Sequence, residues 1–398
     1  MEGESEGNKV LDNGKLISRG DKGALIRLQG SSKYVSMFSQ QGKKGLNQDA
    51  MTVWESFLGD RETFLCGVFD GHGPSGHMVA QYIRDILPKK ISSLCKRWDI
   101  EERNRETEIS PEINKNQLFQ SWKSRMIKCF HEMDDELEAN ASIESYCSGT
   151  TSVIVLKKGE HLIIANLGDS RAILCKRDEN NHLVSKQLTV DLKPNLPGYE
   201  MERIKSCEGR VLAMEEEPKV YRIWMPDQDC PGLAMARAFG DFCLKDFGLI
   251  STPDVTYRKL TESDEFIVLA TDGIWDVLSN DEVVKIVAAA RKRSMAAKLL
   301  VDEAARAWRH RFPCAKTDDC AVICLFFKRQ RPLLTKSYSE VSHLSQSELR
   351  GGGAHSHAGT DDGLDTVLNW DDGQKSSHYY SRRLKKRRLV AKLETVGE

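Results

Sequence analysis

The stretch that bears most directly on the fold is residues 64–76, which read Phe64-Leu65-Cys66-Gly67-Val68-Phe69-Asp70-Gly71-His72-Gly73-Pro74-Ser75-Gly76. Its apolar first half is typical of a buried β-strand, which is predicted to stop at Asp70. Glycine and proline then bend the chain around His72. Two interpretations are open: a surface Asp-Gly turn with an incidental histidine, or a carboxylate and an imidazole held together at a strand end.

A second strand of the same design lies far along the chain. It reads Phe266-Ile267-Val268-Leu269-Ala270-Thr271-Asp272-Gly273 and again ends in Asp-Gly. Two strand-ending aspartates suggest carboxylates that the fold brings together around a hard metal ion. The repetition therefore favours a site over an incidental turn.

Size and charge limit the class of protein. At 398 residues with 40% hydrophobic residues, the chain can form one large domain with tails or two ordinary domains. The formal net charge of −1 argues against a nucleic-acid binder that acts through its overall charge. A direct role with nucleic acid is therefore not expected.

Cysteine usage and apolar runs indicate the compartment. The 11 cysteines include no CxxC pair, which favours reduced thiols over a disulfide framework or a zinc cluster. The N-terminus has no apolar signal-peptide core and no Gly at position 2, and apolar runs such as Ala321 to Phe327 are too short to cross a membrane. We expect a soluble protein of the nucleus and/or cytoplasm with no membrane association.

Composition divides the chain into three parts. Residues 1–32 are predicted to be a flexible N-terminal segment, residues 33–328 one folded domain, and residues 329–398 a disordered C-terminal tail. Six of the seven residues from 382 to 388 are Arg or Lys. This basic cluster is either a solvated tail or a segment that binds an import receptor. A monomer is expected.

Hydrophobic periodicity predicts alternating strands and helices within the domain. A helix after the opening stretch is predicted to end at Pro88, and Leu192 to Pro231, which contains five prolines, is interpreted as a mobile excursion. Ser294 is a predicted N-cap. The other predicted elements are strands Tyr34–Ser39, Ala50–Glu55, Thr63–Phe69, Thr151–Leu156, His161–Asn166, Arg171–Cys175, Phe266–Thr271 and Cys320–Phe327, and helices Asn116–Asn140, Asp281–Arg293 and Ser294–Arg311.

Four aspartates at the borders of predicted strands form the candidate site: Asp49, Asp70, Asp272 and Asp318. Oxygen-only ligands suit Mg²⁺ or Mn²⁺, and the absence of a His-and-Cys ligand set argues against zinc. Two such ions can activate water for displacement at phosphorus, so the residues fit metal-assisted hydrolysis of a phosphate ester. The alternative is that these aspartates cap helices and turns.

Seven motifs, in order, resemble those of the metal-dependent serine/threonine protein phosphatases of type 2C, the PPM family. The resemblance covers about residues 33 to 328, and its detail is most similar to plant members. The motifs are Lys44-Gly45-Leu46-Asn47-Gln48-Asp49, Val68-Phe69-Asp70-Gly71-His72-Gly73, Cys147-Ser148-Gly149-Thr150-Thr151, Asn166-Leu167-Gly168-Asp169-Ser170-Arg171, Leu233-Ala234-Met235-Ala236-Arg237-Ala238-Phe239-Gly240-Asp241, Ala270-Thr271-Asp272-Gly273-Ile274-Trp275-Asp276-Val277 and Thr317-Asp318-Asp319-Cys320-Ala321-Val322.

This resemblance implies an α+β fold, a four-layer αββα sandwich of two antiparallel sheets flanked by helices. It also implies two Mg²⁺ or Mn²⁺ ions per active site and direct attack on phosphoserine or phosphothreonine by a water that bridges the ions. Phosphorylated proteins would be the substrates. Asp70 would bridge the ions, and the Gly71 carbonyl, Asp272 and Asp318 would complete the direct ligand set.

The remaining site residues receive distinct roles from the same resemblance. Asp49 would act through metal-bound water, and His72 would be the general acid that protonates the leaving oxygen. Lys44 would contact the substrate phosphate, and Asp276 would help to hold a weaker third ion. Asp169 is interpreted as part of a supporting turn rather than as a direct ligand.

Three departures from the family pattern affect the site. One is that the acidic residue sometimes found just before the Ser-Gly-Thr stretch is not matched directly, since Tyr146 and Cys147 precede that stretch, with Glu144 nearby. Lys44 stands where many relatives have Arg, which keeps the charge but removes the bidentate fork. Gln48 stands where Glu is frequent, which removes one negative charge near the metals. The alternative function is therefore a catalytically weak relative that binds or scaffolds phosphoproteins.

Overall fold

A computed structural model describes residues 10–12, 15–103 and 111–327, and of residues 10–12, 15–17, 96–103 and 111–118 it describes the backbone alone. The basic cluster at 382–388 and the rest of the predicted tail lie outside the described residues, as do residues 1–9. The domain bounds 33–328 therefore stay a prediction. No helix in the described ranges is both long and apolar enough to cross a membrane.

Strands and helices alternate along the described chain in two large sheets, two small sheets and several helices. The strands are β1 (Val10–Asp12), β2 (Lys15–Arg19), β3 (Leu25–Arg27), β4 (Val35–Gln40), β5 (Ala50–Glu55), β6 (Thr63–Phe69), β7 (Gly71–His72), β8 (Gly149–Thr150), β9 (Ser152–Lys158), β10 (His161–Leu167), β11 (Arg171–Arg177), β12 (Leu183–Gln187), β13 (Arg210–Ala213), β14 (Tyr221–Met225), β15 (Gln228–Leu233), β16 (Phe239–Gly240), β17 (Asp254–Lys259), β18 (Asp264–Ala270) and β19 (Cys320–Phe326). The helices are α1 (Gly76–Arg103), α2 (Pro111–Ala139), α3 (Tyr199–Ser206), α4 (Phe242–Lys245), α5 (Asp272–Trp275), α6 (Asn280–Ala289) and α7 (Ala296–Arg311).

Two antiparallel sheets form the centre of the molecule. The first runs in the order β1-β2-β3-β5-β6-β9-β10-β17, and the second in the order β12-β11-β18-β19-β4. Their facing sides share one hydrophobic core, in which Val68 and Val153 of the first sheet meet Ile267 and Ile323 of the second. Burial on both faces explains why these strands are continuously apolar rather than alternating.

Helices cover the outer face of each sheet. Helices α1 and α2 pack on the first sheet through a core that includes Ile83 and Phe130, and α6 and α7 pack on the second through one that includes Val287 and Trp308. The helix–sheet–sheet–helix order confirms the predicted αββα sandwich. The described residues contain no disulfide bond, and Cys320 and Cys324 are buried in the core.

The predicted end of helix α1 at Pro88 is wrong. The helix continues through the buried Pro88 to Arg103. Proline removes one hydrogen bond from a helix interior. Here Ile91 and Cys95 extend the apolar stripe of Leu87 into the core, so packing outweighs the lost bond. Helix α2 likewise begins at Pro111, before the predicted Asn116.

The excursion predicted from Leu192 to Pro231 is folded. It contains α3 and the antiparallel sheet β13-β14-β15, and the side chain of Arg222 within it is fully buried and paired with Glu217. The prolines are therefore accommodated in turns and at strand positions rather than marking an irregular loop.

Three smaller differences concern element ends and edges. Strands β2 and β3 join the first sheet through the pairing of β3 with β5, although the sequence predicted a flexible segment there.

Ser294 does not cap α7, because Met295 precedes that helix and makes no side-chain cap. Ser279 instead caps α6 in a capping box with Glu282. The strands β12 and β17 were not predicted.

Candidate metal centre and active site

The antiparallel pairing gathers the aspartates at one end of each sheet. In the first sheet Ala50 pairs with Phe69, so Asp49 before β5 lies beside Asp70 after β6. In the second sheet Ala270 pairs with Val322, so Asp272 after β18 lies near the start of β19 and the preceding Asp318. Repulsion from Asp272 contributes to the raised pKa of Asp70, so the two pairs lie close enough to interact electrostatically.

Close backbone packing explains both Asp-Gly pairs. A Cβ at Gly71 would lie 2.5 Å from the carbonyl oxygen of Gly76, and one at Gly273 would lie 2.0 Å from that of Asp319. Each glycine therefore lets a neighbouring backbone segment approach the aspartate before it. The repeated motif that stood out in the sequence is a packing requirement of the site.

Burial and mutual repulsion raise the pKa values of several of these carboxyl groups. Burial, followed by repulsion from Asp272 and Asp49, raises the pKa of Asp70 well above its usual value. Burial and then Asp319 raise the pKa of Asp49, against a hydrogen bond from Thr271. A group of carboxylates in this state is stabilised by positive charge, which a bound cation can supply.

Threonines fix the backbone at Asp70. The amide of Asp70 donates to Thr151 Oγ1 at 3.0 Å, and its carbonyl accepts from Thr150 Oγ1 and the Thr151 amide, each at 2.9 Å. Thr271 Oγ1 donates to Asp49 Oδ2 at 2.7 Å in the same way. Such contacts hold carboxylates at the ends of rigid strands with the precision that a metal site requires.

The aspartates Asp49, Asp70, Asp272 and Asp318 are called the acidic cluster below. Lys44 lies at its edge and forms an ion pair with Asp318. Its Nζ is 2.8 Å from Asp318 Oδ2, and about a fifth of its side chain is exposed. Burial raises the pKa of Asp318 to about 7, although the charge of Lys44 opposes the shift. Lys44 is thus a solvent-accessible cation next to a predicted metal ligand.

Asp319 anchors the loop that carries Lys44. Its carboxylate accepts hydrogen bonds from the amides of Gly42 at 2.7 Å and Gln48 at 2.8 Å. The amide of Lys43 donates to the carbonyl of Thr317 at 2.7 Å. The two adjacent aspartates therefore have different contacts: Asp318 pairs with Lys44, and Asp319 holds the loop in place.

Asp169 and Asp276 extend the acidic cluster. Both are buried, and burial and Asp272 raise the pKa of each, that of Asp169 to about 7. The positive charge of Lys193 opposes both shifts. Asp169 thus interacts with the site carboxylates. The sequence predicted only that its motif forms a turn that supports the site.

His72 is buried and contacts Asp241. Its Nε2 lies 2.5 Å from Asp241 Oδ2, and neither side chain is more than 1% exposed. His72 follows Asp70 and Gly71 on the same segment, so its backbone adjoins the acidic cluster.

The donor set fits hard divalent cations. It consists of carboxylate and backbone oxygens, and one buried oxygen each of Asp49 and Asp276 has no hydrogen-bond partner in the part of the chain that the structure describes. Within the described residues, no three His, Cys, Asp or Glu side chains form a ready-made metal cage. Magnesium-type sites do not need one, since these ions bind one or two carboxylates and keep several waters.

Comparison with known families identifies the fold and the class of enzyme. The family model for protein phosphatase 2C matches residues 34–310. The chain belongs to the protein phosphatase 2C family. It is accordingly a protein serine/threonine phosphatase, of a family that is generally metal-dependent.

Plant proteins of the 2C family are close relatives. "Probable protein phosphatase 2C 65" of Arabidopsis thaliana is 52% identical over 328 residues, which cover 82% of this chain and 85% of that protein. "Probable protein phosphatase 2C 73" of Oryza sativa subsp. japonica is 52% identical over 345 residues, which cover 82% of each chain.

A solved structure of a 2C phosphatase has the same architecture. The serine-threonine phosphatase 2C of Toxoplasma gondii superposes with a TM-score of 0.68 at 25% identity, over 77% of this chain and 99% of that chain. The resemblance read from the sequence motifs is therefore confirmed for both family and fold.

Sequence reasoning assigned no role at this 2C site to Asp241 or Asp319. Both stand in quoted motifs, Asp241 after a glycine and Asp319 beside a predicted ligand. The sequence does not indicate which of two adjacent aspartates faces the loop, nor that Asp241 meets His72 across the fold. Only the strand pairing brings those partners together.

Proposed function

We propose that this phosphatase hydrolyses phosphoserine and phosphothreonine in protein substrates with two Mg²⁺ or Mn²⁺ ions in its active site. Asp70, the Gly71 carbonyl, Asp272 and Asp318 would hold the ions, and Asp49 would act through bound water. The observation that carries the proposal is the buried carboxylate cluster, in which Asp70 is repelled by Asp272, Asp49 and Asp318. Divalent cations relieve that repulsion.

When bound, the ions supply positive charge that activates water and stabilises phosphate oxygens. The protein supplies the geometry. Thr150, Thr151 and Thr271 hold the backbone of Asp70 and the side chain of Asp49 through hydrogen bonds. Positioning at fixed strand ends reduces the reorganisation needed during the reaction.

Lys44 would bind the substrate phosphate. Its ammonium group lies at the partly exposed edge of the cluster, where it can attract a phosphate dianion toward the carboxylate-rich site. Lys provides a point charge without the planar fork of Arg, so the phosphate is held through charge more than through paired hydrogen bonds.

His72 would donate a proton to the leaving serine or threonine oxygen. Alkoxide is a poor leaving group, so protonation in the transition state lowers the barrier. Asp276, with Asp169 beside it, would hold a weaker third ion. The scaffold alternative is not favoured, because Asp70, Asp272, Asp318 and His72 are all present.

Asp70→Asn tests this function. We expect p-nitrophenyl phosphate hydrolysis by the wild type to require Mn²⁺, and the variant to lose nearly all turnover, on the order of 10³-fold, because removing a ligand disrupts charge stabilisation in the transition state. The matched control is Asp135→Asn, which changes an exposed carboxylate on α2. Wild-type turnover that is indifferent to Mn²⁺ and EDTA would refute the metal-dependent mechanism.

A further inference from the structure

The contact between His72 and Asp241 is the most buried interaction of charged side chains at the site. The Nε2–Oδ2 distance is 2.5 Å, and the side chains are 1% and 0% exposed. A carboxylate is costly to bury unless a donor satisfies it. The pairing therefore needs a reason beyond general stability.

A small sheet brings the two residues together. Strand β8 lies between β7 and β16, and Gly149 pairs with His72 on one side and with Gly240 on the other. A Cβ at Gly149 would lie 2.1 Å from Asp241 Oδ2 and 2.7 Å from His72 Nε2. Glycine at this position thus leaves the space in which the imidazole and the carboxylate meet.

The backbone around Asp241 is fixed by several contacts. Asp241 has a φ of +49°, which is uncommon for a residue with a side chain, and its amide donates to the Ser148 carbonyl at 3.0 Å. Asp134 accepts from the Gly240 amide at 2.9 Å and pairs with Lys245 at 2.7 Å. The fold thus holds one carboxylate against one ring nitrogen of His72.

The other ring nitrogen is unused. His72 Nδ1 is buried, and it has no hydrogen-bond partner among the described residues. Buried polar atoms in proteins are nearly always satisfied, and a catalytic role is one of the explanations for an unpaired one. In a neutral histidine, the hydrogen-bond partner of one ring nitrogen decides whether the other nitrogen carries a proton.

We propose that Asp241 is a positioning residue for the reaction: it holds the Nε2 proton of His72 and so makes Nδ1 the atom that gives a proton to the leaving oxygen. The inference rests on the proposed role of His72 as general acid. It resembles the way in which a buried aspartate orients a catalytic histidine in other hydrolases.

The proton balance of the step is simple. Water attacks phosphorus and the bond from phosphorus to the serine or threonine oxygen breaks, with the bonding electrons moving to that oxygen. The oxygen takes the proton from Nδ1 of a ring protonated on both nitrogens, which leaves a neutral ring whose Nε2–H still donates to Asp241. The proton that the attacking water loses then restores Nδ1–H.

Asp241→Asn separates this role from a structural one. An alkyl oxygen needs a proton to leave, whereas p-nitrophenolate leaves without one. We expect kcat on a phosphothreonine peptide to fall by about 100-fold, within the usual range for general acid catalysis, and kcat on p-nitrophenyl phosphate by less than about 3-fold. Equal losses on both substrates, or none on either, would overturn the proposal.

Two controls accompany this variant. Asp246→Asn changes an exposed carboxylate just after α4 and should leave both substrates unaffected. His72→Gln should reproduce the selective loss, and the double variant should lose no more than His72→Gln alone, because the two residues act as one unit. Additive losses would contradict a shared role.

A measurement on the wild type covers the case in which Asp241→Asn does not fold. In ¹⁵N-histidine-labelled protein, the His72 signal, assigned by its loss in His72→Gln, should show a proton on Nε2. A neutral ring with its proton on Nδ1 would overturn the proposal. Failure of the wild type to hydrolyse either substrate would instead refute the proposed function, so the two failures are distinguishable.

Discussion

Lys44 is the residue for which the sequence resemblance predicts a departure from the family pattern, a lysine where many relatives have arginine. It pairs with Asp318 at the open edge of the acidic cluster, on a loop that Asp319 holds through two backbone amides. The loop is therefore positioned by hydrogen bonds that do not involve the lysine side chain. Replacing that side chain should change phosphate binding more than it changes the fold.

Lys44→Ala should lower kcat/KM on a phosphothreonine peptide by about 10- to 100-fold, since a hydrogen bond to a charged group contributes about 1.5–3 kcal/mol. Lys44→Arg should retain activity or improve it, because it restores the bidentate contact. Lys43→Ala is the matched control, since Lys43 is exposed and only its backbone contacts Thr317. Steady-state kinetics decide between outcomes, and equal effects of Lys43→Ala and Lys44→Ala would rule out a specific role.

Site residues that stand within a local sequence pattern could be predicted from the sequence. Asp70 and Asp272 stand at the ends of apolar runs, and a strand that stops at Asp-Gly is visible without a structure. Asp241 was not accessible in this way, because its partner His72 is distant in sequence and the two meet only through β8. Contacts made by three-dimensional pairing leave no local signal.

At the scale of elements, local signals predicted central strands well and helix ends poorly. Strands β5 and β6 have the predicted limits because both faces are buried and the apolar runs stop sharply. Helix α1 passes its proline because the apolar stripe continues to Cys95. Tertiary packing thus overrides a local stop signal where the core extends beyond it.

Helix α6 offers a direct test of capping. Ser279 accepts from the Glu282 amide, and the Glu282 side chain accepts from the Ser279 amide. Ser279→Ala should lower the free energy of unfolding by about 1 kcal/mol without changing kcat. Urea denaturation measures the effect. Ser294→Ala, at the serine that the sequence suggested as a cap, should be nearly neutral, and the reverse order of effects would contradict the observed helix ends.

For the whole molecule, the site carboxylates are a source of pH-dependent instability. Burial raises the pKa of Asp318 and Asp169 from 3.8 to about 7, so between these values the folded state binds more protons than the unfolded state. The free energy of unfolding contributed by these groups therefore falls as the pH rises from about 4 to 7. Bound cations should reduce that loss, since they favour the charged carboxylates.

Asp276→Asn should accordingly stabilise the protein in EDTA at pH 8, because it removes a carboxyl group whose ionisation in the folded state is disfavoured by burial and by repulsion from Asp272. The variant should gain little at pH 5, and Mn²⁺ should reduce the difference from the wild type at pH 8. Thermal unfolding at both pH values measures this, with Asp135→Asn as the exposed control. A loss of stability at pH 8 in EDTA would contradict a repulsive cluster.

Metal-dependent hydrolysis through Asp70 is tested most directly by the release of phosphate from a phosphothreonine peptide by EDTA-treated protein into which Mn²⁺ is titrated. We expect no turnover without metal, activity that rises to saturation with Mn²⁺, and almost none at any Mn²⁺ concentration in Asp70→Asn. Turnover in EDTA equal to that in Mn²⁺, or an Asp70→Asn variant as active as the wild type, would contradict it.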